Sequence, residues 1–476
     1  MNKFKLWIAA GLATIALGVT GCTVGTGVAA TTGTTTTSTT TSTGSTAATT
    51  LTADHDSTAD HTWDASAEVA IDLSNPAATS GVTVSNGVIT ITQAGAYRLS
   101  GTLADGQVVV DTADSANVYL ILDDASITNA DGSALAILNA ELALVVLPDG
   151  TTSTLTDGAG YAATGDDDPD AALYSASDLT ILGGGALTVN GKFNDAINSR
   201  DGIVIVDGTI TVNAVDDGIR GQDYVVVKDG TVNVTATDDG LKSDNEEDTS
   251  LGYLSVTDGA VTISSGDDAM HSVNALNISG GTVDITKSVE GLESLNITIS
   301  GGTTNVVSSD DATNATDTLT GTASGLLTIS GGQLTVNSEG DGLDANGSIV
   351  MTGGDVVVNG PTMGGNGSLD YDGTFLISGG TLVAAGSSGM AQAPSTTSTQ
   401  KSLMASVNAA AGSKVEFIDS SGTVVATITT VKQVQNVVVS SPEIKEGETY
   451  TVSVNGSEVG TTDTSQAVSS GRGPRR

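Results

Sequence analysis

Val204-Ile205-Val206-Asp207-Gly208-Thr209-Ile210-Thr211-Val212 is followed 22 residues later by Val226-Val227-Lys228-Asp229-Gly230-Thr231-Val232-Asn233-Val234. Both stretches alternate apolar and polar residues around a two-residue turn, the period-two pattern of strands with one buried face. The unit recurs between about 178 and 380, turning at Asp258-Gly259, Gly280-Gly281, Gly301-Gly302, Gly331-Gly332, Gly353-Gly354 and Gly379-Gly380. Steps between the second turn residues are 22, 29, 22, 21, 30, 22 and 26. A step near 22 suits one coil of a parallel β-helix with several short strands. The longer steps read as corner insertions, Asn245 to Leu251 and Thr313 to Gly325. One coil cannot bury its apolar side alone; stacking on its neighbours does so. A two-sheet sandwich uses similar strands but does not require one motif in one phase eight times, so the expected fold is all-β, a parallel β-helix.

Outward from this repeat, Val88 to Ile91, Val108 to Val110, Val118 to Leu122 and Leu142 to Leu147 read as strands of less regular coils. Residues 56–404 are therefore assigned to the helix. Beyond it, Val415 to Ile418, Val424 to Ile428, Val434 to Val439 and Tyr450 to Val454 predict a small antiparallel β cap over 405–465. It would cover an end otherwise open to edge pairing. Residues 466–476 form a basic tail. At the other end, Lys3 and Lys5 precede the apolar run Leu6 to Val19, which is too short to span a bilayer. Val19-Thr20-Gly21-Cys22 then resembles the lipobox of a bacterial lipoprotein signal, making 1–21 a signal peptide and Cys22 the lipidated residue. An uncleaved anchor and an ordinary signal peptide are the alternatives. Thr, Ser, Gly and Ala dominate 22–55, a composition suited to a linker. The resulting expectation is an exported lipoprotein, held by its lipid to a membrane on the cell surface or outer envelope.

Acidic residues number 55 against 16 basic, for a formal net charge of −39. This argues against a nucleic-acid partner, which demands a basic surface. It also makes the fold self-repelling unless cations bind, although solubility, halophily or an acidic wall environment would equally account for the charge. The surplus has a pattern. Nine residues after the second turn residue stand Asp217, Asp239, Asp268, Glu290, Asp311 and Asp341, and a one-residue insertion brings Asp195 into line. Asp216, Asp238, Asp267 and Asp310 precede four of them. Two positions further on lie Ile197, Ile219, Leu241, Met270, Leu292 and Leu343, which set the side to which the carboxylates point. Coils stack about 4.8 Å apart. Unit charges at that spacing repel by about 1 kcal/mol in water and several-fold more where water is scarce. Ca²⁺ would relieve this, taking six to eight oxygens at flexible geometry. His271 stands alone in this stretch and cysteine is absent, which disfavours zinc or copper. Asp-Asp-Gly as turn chemistry alone stays open, because Asp caps its own backbone. A second cluster, Asp166-Asp167-Asp168 with Asp170, reads equally as a solvated loop.

Asn194-Asp195-Ala196-Ile197, Asp216-Asp217-Gly218-Ile219, Gly266 to Ser272, Lys287 to Glu293 and Gly340 to Asp344 resemble a family of bacterial carbohydrate-binding β-helix proteins. That family was first described for a clostridial cellulose- and pectin-binding protein. Gly360-Pro361-Thr362, Gly365-Asn366-Gly367, Leu369-Asp370-Tyr371, Gly386 to Met390 and Val438 to Pro442 extend the likeness from about 80 to about 460. Ala196 and Ala269 depart from it, standing where the family often has Gly. The resemblance implies a right-handed, pectate-lyase-like coil with bound Ca²⁺ and affinity for cellulosic and acid-sugar polysaccharides. Phe193, Tyr224, Tyr253 and Tyr371 are candidate sugar-stacking residues, each also suited to core or corner filling, and Lys242 is a candidate polar contact. The expected activity is non-catalytic binding by a monomer. A Ca²⁺-dependent lyase using Lys192, Arg220, Lys242 or Lys287 as base and a structural adhesin or surface-layer component are the alternatives.

Overall fold

The computed structural model describes residues 51–161, 165 and 168–467. The expected signal peptide, Cys22, most of the linker, Asp166, Asp167 and nearly all of the basic tail lie outside the described residues. The quoted repeat forms coils of three short strands. One coil is Ile197–Ser199, Gly202–Ile205 and Thr209–Ala214; the next is Ile219–Gly221, Tyr224–Val227 and Thr231–Thr235. Each strand pairs in parallel with its counterpart one coil on, Ile197 beside Ile219, Ile203 beside Val225 and Thr209 beside Thr231. The stacking continues to Leu369–Tyr371, Phe375–Ile377 and Thr381–Gly386, giving three long parallel faces around one core.

Inward positions hold stacked aliphatic columns, such as Ile205, Val227, Val256, Ile278 and Ile299, all essentially inaccessible. β-Branched residues fit this pleated, buried setting. The turns behave as their composition demands. Gly208, Gly230, Gly259, Gly281, Gly302, Gly332, Gly354 and Gly380 all adopt positive φ, between 68° and 111°. At Gly230 a Cβ would lie 2.6 Å from the Gly208 carbonyl oxygen below, so both conformation and spacing require glycine. The expected insertion at Thr313 begins later: Thr313–Ala315 is still a strand, flanked by Leu292–Ser294 and Leu343–Ala345. The run at Leu142 to Leu147 is the strand Ala143–Val146, paired with Leu179–Leu182 of the following coil.

The two ends are finished differently. Val434–Ser440 extends the third face, pairing antiparallel with Thr381–Gly386 on one side and with Ser402–Ala409 on the other. Val424–Thr429, Lys414–Ile418, Thr449–Val454 and Ser457–Asp463 make a separate antiparallel sheet around Phe417 and Tyr450. Residues 51–68, expected as the end of the linker and the start of the coil, instead run as a strap along the outside of the second face. Thr52 donates its N–H to the Ser250 carbonyl at 2.9 Å, and Lys228 Nζ donates to Asp54 at 2.8 Å and Asp56 at 3.0 Å. Further along, Asn117 Nδ2 donates to Asp60 at 2.7 Å. The strap answers a requirement of the coil. Val204 and Val226 point outward on the second face and cluster with Leu51, while Ile121 and Leu144 cluster with Trp63.

Candidate cation and carbohydrate face

The first face carries the acidic ladder. The register Ile197–Ile219–Leu241–Met270–Leu292 places Asp195, Asp217, Asp239, Asp268 and Glu290 one above another, and Asp311 and Asp341 continue the line. Much of the ladder is sealed in: Asp195, Asp217, Asp239, Asp268 and Asp341 are buried, while Glu290 and Asp311 are half-buried. Five of the ladder residues cap the coil that follows. Asp195 Oδ1 accepts the Asp217 N–H at 3.1 Å, Asp217 Oδ1 the Asp239 N–H at 3.1 Å, and Asp239 Oδ1 the Asp268 N–H at 3.0 Å. Asp311 serves Asp341, and Asp341 serves Gly367, in the same way. Glycine follows four of the ladder residues, and at Gly218 a Cβ would meet the Gly240 carbonyl at 2.5 Å; Ala196, Ala269 and Ala312 hold the same position in the other three coils. The preceding residues stand further out, Asp216 and Asp238 half-buried, Asp267 and Asp310 exposed.

Three residues after each ladder position comes a second column, which the sequence reading did not assemble. It runs Asn198, Arg220, Lys242, His271, Glu293, Asn314, Asp344 and Asp370. Its signal was present: in a strand, the residue next to an inward Ile or Leu points outward, beside the ladder. In three successive coils this column supplies cations. Arg220 approaches Asp195 at 3.9 Å and Asp244 at 2.6 Å; Lys242 Nζ lies 3.2 Å from Asp217 and 2.8 Å from Asp239. His271 Nδ1 lies 3.0 Å from Asp268 and 3.1 Å from Glu293. From Glu293 onward the same positions hold Asn, Asp or Glu. Asn314 Nδ2 donates to Glu290 at 2.8 Å and to Glu293 at 3.1 Å.

Burial dominates the electrostatics. It lifts the carboxyls of Asp217 and Asp268 to about 6, despite the neighbouring Lys242 and His271. Burial, with the charge of Glu293, lifts Glu290 to about 9. Asp195 rises well above the usual range through burial and the charge of Asp217. Burial would lower His271, but its bonds to Asp268 and Glu293 carry it to about 10. Burial likewise opposes the Lys242 ammonium, and Asp239 and Asp217 outweigh it, raising its pKa.

Four groups bring their ligand atoms within 4.8 Å of one another: Asp216, Asp217 and Asp238; Asp239, Asp268 and His271; Asp268, Glu290 and Glu293; Asp311, Asp341 and Asp344. Two oxygens on opposite sides of a Ca²⁺ ion, each about 2.3–2.6 Å from it, are roughly 4.6–5.2 Å apart, so this spacing suits one ion. Lys242 already sits against the first group and a protonated His271 within the second. His271 also bonds Asp268 and Glu293 of the third. The fourth, Asp311, Asp341 and Asp344, offers carboxylate oxygens alone, the donor chemistry that fits Ca²⁺.

The expected aromatic contacts divide. Tyr224 and Tyr253 stack on each other at 5.1 Å beneath the strap, where the Tyr224 hydroxyl meets His55 Nδ1 at 2.9 Å and Tyr253 donates to the Thr52 carbonyl. Both rings are buried, and their role is to seat the strap. Tyr371 is buried too, its hydroxyl donating to the Ala393 carbonyl and its ring edge-on to Phe375. Phe193 is half-buried and stacked at 4.3 Å on Tyr161, a partner the sequence reading missed.

A long coil of parallel strands with one face lined by polar side chains defines the protein's class as a parallel β solenoid. The carbohydrate-binding domain-containing protein family matches residues 85–360, more than half of the chain, and the chain belongs to that family. A carbohydrate-binding domain-containing protein of Acetivibrio thermocellus is 38% identical over 157 residues, 32% of this chain and 55% of that protein. The chain thus spans about half the length of this curated relative. A solved structure described as the polysaccharide lyase-like protein from C. thermocellum, gadolinium derivative, is 26% identical. It superposes with a TM-score of 0.41, covering 66% of this chain and 96% of that one.

Proposed function

We propose that the protein is a non-catalytic, Ca²⁺-dependent binding module for acid-sugar or cellulosic polysaccharide, exported and held at the cell surface through lipid on Cys22. In this reading its coil is right-handed and it acts as a monomer. The observation that carries the Ca²⁺ reading is the cluster of Asp311, Asp341 and Asp344, whose oxygens lie within one ion's coordination span. A uronate polymer and a face of carboxylates repel; an ion held there and incompletely coordinated by protein would bridge them. The first face would lay the polymer along the coil axis, where successive coils repeat about every 4.8 Å.

The lyase reading is weaker on one count. Proton abstraction needs a neutral base, and Lys242 is held as an ammonium by Asp217 and Asp239. Arg220, bonded to Asp244, is raised as well. The test is a pull-down on polygalacturonate and cellulose with Ca²⁺ or EGTA, together with ultraviolet detection of unsaturated uronate. Ca²⁺-dependent retention on polygalacturonate without product is the expected result. Equal retention on polygalacturonate in EGTA, or accumulation of unsaturated product, would overturn the reading.

A further inference from the structure

At the N-terminal end the strap and the first coils enclose a cleft of about 660 Å³ on the second face, remote in sequence from the ladder. Trp63 and Tyr119 form one wall, their ring centroids 5.5 Å apart and inclined by 35°. Tyr97, Asn117, Gln93 and Asp64 also line it. We propose that this cleft is a second sugar site, taking the ring of an uncharged pyranose against Trp63.

Trp63 is held in place before any ligand arrives. Its indole N–H donates to Glu68 at 2.8 Å, and Glu68 is clamped by Arg98 through bonds of 2.7 and 3.1 Å. The Tyr119 hydroxyl donates to the Thr62 carbonyl at 3.3 Å, tying the second ring to the strap. With its N–H committed to Glu68, the indole can offer a ligand only its rigid apolar surface, which costs little entropy to use. The Gln93 amide, the Asn117 carbonyl oxygen (its NH2 is held by Asp60) and the Asp64 carboxylate add the few polar groups that fix orientation in a small-molecule site. They match hydroxyls, which donate and accept. The lining residues include no Lys or Arg, and Asp64 would repel a uronate, so the chemistry selects a neutral ring. The volume falls within the roughly 300–1,000 Å³ of small-molecule sites. Trp63 lies outside residues 85–360, the span matched by the family. The site needs no cation, so it goes beyond the ladder reading.

The test uses the full chain in EGTA, titrated calorimetrically with cellohexaose, xylohexaose and mannohexaose. At least one should bind, and Trp63→Ala should weaken it by about tenfold or more, as truncation of a central aromatic contact does. Trp63→Tyr should recover part of the affinity. Because Trp63→Ala also loosens the strap, Gln93→Ala is the deciding variant: Gln93 is exposed, lies outside the strap, and should cost several-fold in affinity with unchanged melting. No binding by any of the three sugars, or undiminished binding by Gln93→Ala, would overturn the proposal. Asp344→Asn should leave this binding intact while impairing Ca²⁺-dependent retention on polygalacturonate, so failure of either reading is separable from failure of the other.

Discussion

Stripped of divalent ions, the protein should be more stable at about pH 5 than at about pH 8. Asp217 moves from 3.8 to about 6 on folding, so the folded state binds more protons across that window and stability falls as pH rises through it. Glu290, moved from 4.5 to about 9, acts in the same sense over a wider window. His271 moves from 6.5 to about 10; its contribution is complete below 6.5 and is lost as pH climbs towards 10. Groups that folding acidifies, such as Glu68 and Glu293, have the opposite slope, but they are ionised in both states by about pH 5. The sign above that point is therefore set by the buried ladder. Asp217 alone is worth about 3 kcal/mol over its whole shift, of which the part above pH 5, about one unit, is about 1.4 kcal/mol. An unfolding entropy of about 2.1 cal/mol/K per residue over roughly 410 described residues gives about 0.9 kcal/mol/K, so Asp217 by itself shifts the midpoint by about 1.5 °C between pH 5 and 8. Calorimetric melts in EGTA at about pH 5, 6.5 and 8 provide the measurement. Added Ca²⁺ should raise the midpoint most at the alkaline end, because its ligands must be ionised. At a hundredfold excess over Kd the gain is about 2.7 kcal/mol, about 3 °C. A midpoint in EGTA that is level or rising between pH 5 and 8 would refute the reasoning.

Lys242→Met should leave Asp217 and Asp239 buried without their cation and cost about 3–5 kcal/mol, roughly 3–6 °C near pH 8, with recovery in acid or with Ca²⁺. Asp344→Asn should abolish most of the Ca²⁺-induced rise in melting temperature, read as the difference between melts in Ca²⁺ and in EGTA. Gly230→Ala should lower the midpoint by at least about 1–2 °C, from the cost of positive φ alone, with the 2.6 Å approach to the Gly208 carbonyl adding to it. A Gly230→Ala melt matching wild type would count against the tight stacking at that corner.

The coil was legible because its signal is redundant. Eight turns in one phase each needed a positive-φ residue, and the apolar alternation had one register that buried it, so Ile197, Ile219, Leu241 and Met270 could be aligned from spacing alone. The acidic ladder followed from the same count. The second column did not, because its residues change type from coil to coil: Arg220, Lys242 and His271 give way to Glu293, Asn314 and Asp344. A search for repeated chemistry passes over a position whose chemistry varies, although the backbone holds it as firmly as the ladder. The strap was missed for another reason. Residues 51–68 carry no strand period, and what fixes them is distant in sequence, the paired rings of Tyr224 and Tyr253 and the ammonium of Lys228. Those tyrosines invited a sugar-stacking reading that their burial beneath the strap removes.

Turn chemistry and cation binding, alternatives for the Asp-Asp-Gly repeat at the level of sequence, are compatible in the folded chain. One oxygen of Asp195, Asp217, Asp239, Asp311 and Asp341 accepts the N–H of the coil above, which is the structural role. The carboxylate keeps a second oxygen, and the neighbouring column decides what it meets. Against Asp217 and Asp239 that neighbour is the Lys242 ammonium; within the Asp268 group it is a His271 lifted to about 10. A buried site that already contains its counter-charge gains little from a metal, because the ion must displace it. Beside Asp311 and Asp341 the column supplies Asp344, another oxygen donor, and the three side chains come within one ion's coordination span. On the proposed Ca²⁺ reading, a polymer bridged by the ion would be gripped at that end of the ladder.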